Sequence, residues 1–425
     1  MLKKLEELQS QNKNIKIALL GAGSMGRGIF YQCSITPGID CVAISDVKID
    51  RAIDSVKYTG QEYCIVENRK DLLNSINNNI VAVCENGMLL AECEIFDIFL
   101  DASNSIISAA LIDQKALENN MHLIMMNAEA YLLYGPYFLR IANENNLVYT
   151  SSDGDQPGVI KRIVDEMNLW GFELVMAGNI KGFLDRYSNP TKIIPEADKR
   201  NLDYNMCTSY TDGTKVAIEN ALVANALNCE VIIPGMEGRE LKSVYEIFDH
   251  YDFQEYLEQD KRIVEYILGA RPKGGVFAVG YCPDSYQQSM LDWFPSENKR
   301  GQFNLFYRPY HLCHVETMQT IAEAVLDKKS LLKPDYGLKT DVYAYAKRDL
   351  RKTETLDGLG GYTCYGLLEN NPNYKNEGLP ICLAHDLVTN RDIRKDEKIL
   401  LSDVLIEQNR IDFKIYNEIK NSIPL

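Results

Sequence analysis

Ile15-Lys16-Ile17-Ala18-Leu19-Leu20-Gly21-Ala22-Gly23-Ser24-Met25-Gly26 is the stretch on which the reading of this chain turns. Ile15–Leu20 is a short apolar run of the kind that forms a buried parallel strand. It enters a GxGxxG loop and then a helical pattern through Arg27, Ile29 and Tyr31. Each glycine has a job there. Gly21 permits the tight turn, Gly23 lets backbone approach a pyrophosphate, and Gly26 lets the helix pack close to the strand. Ser24 and Met25 open the helix, whose N–H groups and positive dipole end suit phosphate.

Working outward, a second strand at Cys41–Ser45 ends at Asp46, twenty residues after Gly26. An acid at that place meets the adenosine ribose hydroxyls and repels a 2′-phosphate. Lys48 and Arg51 follow closely, so both NAD and NADP stay open as cofactor. Further strands are expected at 80–84, 96–100 and 122–126. The polar residues just past the last two, Ser103, Asn104, Asn127 and Glu129, belong near the nicotinamide, since ligands lie off the carboxyl ends of the strands in an open α/β sheet. Capping of the following helices is the competing use of the same residues.

Beyond the strand at 147–150, Asp153-Gly154-Asp155-Gln156-Pro157-Gly158 is a sharp polar turn. A strand over 172–177 leads into a loop, Asn179 to Tyr187, that carries Lys181, Asp185 and Arg186. A helix is expected from Asp212 to Asn228, apolar nearly all round and therefore buried, with Thr211 or Asp212 as its N-cap. Burial and the helix dipole both disfavour a charged Lys215 in its first turn and lower its pKa toward the range of proton transfer. Lys215 is thus the expected catalytic acid or base, Asp212 its orienting partner, and Glu219 lies one turn along the same face. A plain Lys215–Glu219 structural pair is the alternative. Arg308 suits an anion. His311 and His314 are three apart, whereas paired helical metal ligands are usually four apart, and no metal is expected.

Composition narrows the classes. Of 425 residues, 46% are hydrophobic and 25% charged, which is ordinary for a globular chain of two or three domains. A net charge of -15 is a poor match for nucleic acid or an anionic membrane surface. Eleven cysteines without a CxxC pair point to reduced thiols. With no apolar leader read at the N-terminus, a cytoplasmic location is expected.

Several strings together resemble a known group. They are GAGSMGRG (21–28), DGDQPG (153–158), NIKGFLDR (179–186), DGTK (212–215), YRPYHL (307–312), AKRDL (346–350), LDGLGGY (356–362) and NRDIRKDEKILLSDV (390–404). The chain looks like the homoserine-dehydrogenase-like oxidoreductases that end in a SAF module, one branch of which is deoxyxylulose-phosphate-reductoisomerase-like. The resemblance implies a Rossmann domain over 1–150, an α+β substrate and dimerisation domain over 151–338 and a small β-rich SAF module over 339–425. It places a catalytic lysine and aspartate on Lys215 and Asp212. It departs from homoserine dehydrogenase at Asn179-Ile180-Lys181-Gly182, where that enzyme has small hydroxyl residues; Lys181, Arg186 and Arg308 better suit a phosphate or carboxylate.

The expected activity is NAD- or NADP-dependent hydride transfer at the carbonyl or alcohol carbon of a small polyhydroxylated substrate, with reductoisomerase action on a ketose phosphate as the branch reading. Lys215 or Lys181 would move the proton. Asp155, Asp185, Asp212, Arg186, Glu219, Arg308 and His311 would orient or bind. The resemblance implies a homo-oligomer. The rivals are a homoserine-type amino-alcohol dehydrogenase and a saccharide sensor regulated by a dinucleotide.

Overall fold

The computed structural model describes residues 1–200, 202–293 and 296–421. They form two compact units, each assembled from separated stretches of sequence. The first is Met1–Gly158 together with Leu312–Lys333 and the C-terminal helix from Lys414 onward. The second is Val159–His311 with Pro334–Phe413.

The first unit is an open parallel sheet of seven strands. They are β1 (Ile15–Leu20), β2 (Ile39–Ser45), β3 (Tyr63–Ile65), β4 (Val81–Cys84), β5 (Ile98–Asp101), β6 (His122–Met125) and β7 (Tyr149–Ser151), ordered β3-β4-β2-β1-β5-β6-β7. Every neighbouring pair is parallel. Strands buried on both faces are mostly apolar, and VAVC, IFLD and HLIM are fully buried, with Asp101 and His122 as their polar members. Chain order runs outward from β1 through β2 and returns on the other side at β5. The β1/β5 boundary is therefore the switch point where such sheets bind ligands. The expected Rossmann architecture is the one observed. Helix Cys313–Ala322 packs on helix Ser24–Ile35 in this unit, with the His314 ring laid against Gly28.

The second unit is built around helix Thr214–Leu227. Every residue from Thr214 to Ala226 is buried, as its all-round apolar sequence requires. On it pack a mixed sheet and a two-stranded one. The first is ordered β11-β12-β10-β8-β9, from β8 (Glu173–Lys181), β9 (Ile263–Leu268), β10 (Val276–Tyr281), β11 (Lys299–Arg300) and β12 (Phe303–Arg308). The second pairs β13 (Thr340–Ala346) with β15 (Cys364–Asn370). A small sheet of β14 (Thr355–Asp357), β16 (His385–Thr389) and β17 (Val404–Leu405) completes the unit.

Three local expectations are corrected. The helix holding Lys215 does not start at Asp212. Asp212 ends the preceding helix, Tyr204–Asp212, and Gly213 at φ 90° turns the chain between the two. That left-handed conformation suits glycine, which is why the break falls there. Asn179 and Lys181 lie on β8 and not in a loop, because that strand runs on to Lys181. His311 precedes helix Cys313–Ala322 and so does not share it with His314. Among the described residues no helix is long and apolar enough to cross a membrane.

Candidate functional site

The glycine-rich loop comes first. A Cβ on Gly26 would lie 1.9 Å from the carbonyl oxygen of Gly21, so only glycine allows this helix to sit so close to its strand. Gly23 differs. A Cβ there would meet nothing within 4 Å, and its φ of -69° is open to any residue. Glycine at this position is required neither by packing nor by backbone. The helix Ser24–Ile35 that follows has no side-chain cap at its N-terminus. Its first N–H groups therefore face the open side of the loop with no side chain accepting from them, an arrangement that fits a pyrophosphate.

Asp46 and Ser103 are brought to this loop. A Cβ on Gly21 would touch the backbone of Ala102 and Ser103 at 2.8 Å, so the loops after β1 and β5 are in contact. Asp46 is buried at the end of β2. Its carboxylate accepts from Ala22 N–H at 2.8 Å and from Lys48 N–H at 2.8 Å, tying the second strand to the loop. Past β5, Ser103 N–H donates to Asp101 Oδ1 at 2.7 Å, and Asn104 is exposed. Past β6, Asn127 does the capping foreseen as its competing use. Its Oδ1 accepts from Ala130 N–H at 3.1 Å, while its amide donates to Asp101 Oδ2 at 3.0 Å and Ser105 O at 3.0 Å. Glu129 is buried in the first turn of the same helix.

Asp155 also belongs to the first unit, where its Oδ1 accepts from Gln156 N–H at 3.0 Å. In the turn before it, Asp153 N–H donates to Thr320 Oγ1 at 2.8 Å.

The second unit gathers a cluster of lysines and carboxylates. Asn179 and Lys181, two apart on β8, point to one face. Both donate to Glu219 Oε2, Lys181 Nζ at 3.0 Å and Asn179 Nδ2 at 3.2 Å. Glu219 lies one turn beyond Lys215, and both are buried, at 3% and 6% exposure. Asp212 Oδ1 accepts from Thr214 N–H at 2.9 Å, and its Oδ2 lies 2.8 Å from Lys347 Nζ. Burial pushes the Asp212 carboxyl above its ordinary value, against the pull of Lys347. Lys347 also donates to Ser188 O at 2.8 Å and Gly361 O at 2.7 Å, so one buried ammonium gathers three segments of the unit.

The remaining candidates lie around this cluster. Asp185 N–H donates to Thr211 O at 2.7 Å. Arg186 is exposed, its guanidinium 5.3 Å from the Tyr365 ring centre. Val276 of β10 pairs on one side with Asn179 and on the other with Arg308, so Arg308 reaches the same end of the sheet, with its guanidinium over Tyr310. His311 Nδ1 lies 2.7 Å from Gly274 O. A carbonyl only accepts, so Nδ1 carries a proton there.

Lys347 was missed in the sequence. The signal was present: the second part of β13, VYAYA at 342–346, is an apolar run that leads straight into that lysine. Its partner Asp212 comes from a distant part of the chain, which no local pattern reveals.

Comparison with known proteins agrees with part of this. Residues 154–317, less than half of the chain, match the family model described as the catalytic domain of the oxidoreductase DRL. The matched segment contains Lys181, Asp212, Lys215, Glu219 and Arg308. No curated protein matches the chain. Among solved structures, a scyllo-inositol dehydrogenase from Lactobacillus casei with bound NAD(H) and scyllo-inositol aligns over 77% of this chain and 93% of its own, with TM-score 0.43 and 11% identity. A 3-ketoreductase from Actinomadura kijaniata in complex with TDP-benzene and NADP aligns over 74% and 90%, with TM-score 0.39 and 11% identity. Likenesses this distant carry no argument about substrate, and the assignment below rests on the chain's own residues.

Proposed function

We propose that the chain is an NAD- or NADP-dependent oxidoreductase acting on the carbonyl or alcohol carbon of a small polyhydroxylated substrate. The observation that carries the reading is Lys215, a buried lysine in the first turn of a buried helix, inside the segment that matches an oxidoreductase catalytic domain.

The loop Gly21–Gly26 and the helix after it would hold the cofactor's pyrophosphate, with Asp46 on the adenosine side and Ser103, Asn104, Asn127 and Glu129 on the nicotinamide side. A bound nicotinamide supplies or accepts the hydride. The chain's own residues move the proton and orient the substrate. Lys215 Nζ protonates the nascent alkoxide in the reductive direction and takes the proton in reverse. Asp212, held by Lys347 and by Thr214 N–H, fixes the start of the helix and thereby the place of Lys215. Lys181 is aimed by Glu219, which also accepts from Asn179, and serves as a second cation for the oxygen that gains charge, or for a substrate carboxylate or phosphate. Arg308, Arg186, Asp185, Asp155 and His311 are assigned to substrate binding and orientation.

Three cations of the second unit, Lys181, Arg186 and Arg308, support the finer reading of a phosphorylated substrate. With the motif resemblance, they support reductoisomerase action on a ketose phosphate. The domain assignment 1–150, 151–338 and 339–425, with a SAF-like last segment, belongs to this proposal, as does a homo-oligomer.

The test is oxidation of NADH and NADPH by the purified protein, followed by absorbance. Aldose and ketose phosphates, their unphosphorylated forms and aspartate semialdehyde are the substrates. Turnover of a sugar or sugar phosphate is the expected result. Turnover of the semialdehyde alone would replace the reading with an amino-alcohol dehydrogenase.

A further inference from the structure

We infer that Asp113 is a neutral carboxylic acid which donates its proton to Asp101 and, through Asp101, positions the loop at the nicotinamide side of the cofactor site. The inference rests on the cofactor reading above, and the argument for it comes from burial and hydrogen-bond accounting in the first unit.

Asp101 closes β5 and Asp113 lies on helix Ile106–Glu118; both are fully buried, at 0% exposure. The two carboxyl groups are within hydrogen-bonding reach of each other. Asp101 is well supplied with donors, accepting from Ser103 N–H on one oxygen and Asn127 Nδ2 on the other. Asp113 is not. Among the described residues neither of its oxygens finds a hydrogen-bond donor. Burying an ionised carboxylate without a partner is costly, and a second one beside it adds repulsion. A proton on Asp113 removes both costs, because its hydroxyl then donates to Asp101. Desolvation and the charge of Asp101 push Asp113 well above the usual carboxylate range, in line with the geometry. The Tyr149 hydroxyl is buried close by in the field of both carboxyls.

The consequence falls on Asp101. Its carboxylate organises Ser103 N–H and, through Asn127, Ser105 and the start of helix Ala128–Glu144. Asp113 touches none of these groups; it acts through Asp101 and is a positioning residue. What it requires is a donor at that place, not a charge. An amide in place of the acid therefore retains the device, whereas an aliphatic side chain removes it.

Three measurements decide the matter on full-length protein. The first is infrared difference spectroscopy of wild type against Asp113→Asn at neutral pH, which needs no cofactor. A protonated-carboxyl C=O band present in the wild type and absent in the variant is expected; no such band would overturn the inference. The second is the affinity for the reduced dinucleotide, read by fluorescence. Asp113→Asn is expected to keep it within about twofold. Asp113→Leu is expected to weaken it by about tenfold, the equivalent of about 1.4 kcal/mol. Equal weakening in both variants would mean that charge is needed and would also overturn the inference. If Asp113→Leu does not fold, the band and the Asp113→Asn affinity still decide. The third is wild-type binding itself. If the wild type binds neither cofactor, the cofactor reading fails while the infrared band still reports on the shared proton.

Discussion

The glycine-rich loop of the first unit and the lysine cluster of the second are made in opposite ways. At Gly23 the protein leaves open space that packing does not demand. Around Asp212, Glu219, Lys181 and Lys347 it fills the space with charges that hold one another, several of them buried. The first is a surface shaped for something brought from outside. The second is a prearranged electrostatic environment, costly to assemble and therefore poor evidence of stability for its own sake. On the proposed reading, side-chain pairing marks where the protein does its own chemistry, and bare backbone marks where it receives another group.

Substitutions can break or sharpen that contrast. The largest effect is expected at Lys215. Lys215→Met should leave cofactor affinity unchanged and lower turnover by about 10²–10⁴-fold, the usual contribution of a general acid or base. Steady-state kinetics with a substrate from the panel checks this, and normal turnover would remove Lys215 from the mechanism. Lys347→Met is next. It leaves Asp212 buried without its cation, which costs roughly 3–5 kcal/mol, read as a lowered midpoint in denaturant. An unchanged midpoint would mean that the pair is not the strut described. The smallest effect is on pH dependence. Burial pushes the His122 imidazole down to about 4. Unfolded, it titrates near 6.5, so between those values the unfolded chain binds the extra proton. Stability from this group is thus complete above about 6.5 and lost as the pH falls toward about 4. His122→Gln should flatten the slope of stability against pH in that window, and an unchanged slope would remove His122 as its source.

Legibility in the sequence followed the range of the interaction. The strand, glycine loop and helix at 15–35 were readable because Gly21 and Gly26 answer local steric demands and Gly23 falls at the spacing of a pyrophosphate loop. Burial of Lys215 was readable because Thr214–Leu227 is apolar on every face. The break at Gly213 was missed, since a positive φ leaves no trace in hydrophobic periodicity and Asp212 looked equally like a cap. The partnership of Lys181 with Glu219 was missed because the loop was placed too early: β8 continues through Asn179, and only strand geometry turns Asn179 and Lys181 to one face. Lys347 could not be paired with Asp212 by any spacing rule. Asp113 could have been flagged. It stands in step with Ala109, Ala110, Ala116 and Leu117 on the buried stripe of its helix, and an acid in an apolar stripe is itself a signal.

The contrast between the two regions is tested most directly at Gly23, by titrating NADH and NADPH into the wild type and Gly23→Val while recording the melting temperature of each. The account predicts that the wild type binds at least one of the two, and that the variant loses binding with an unchanged melting temperature, because a Cβ at Gly23 meets nothing within 4 Å. A variant that binds as well as the wild type, or a wild type that binds neither cofactor, would contradict it.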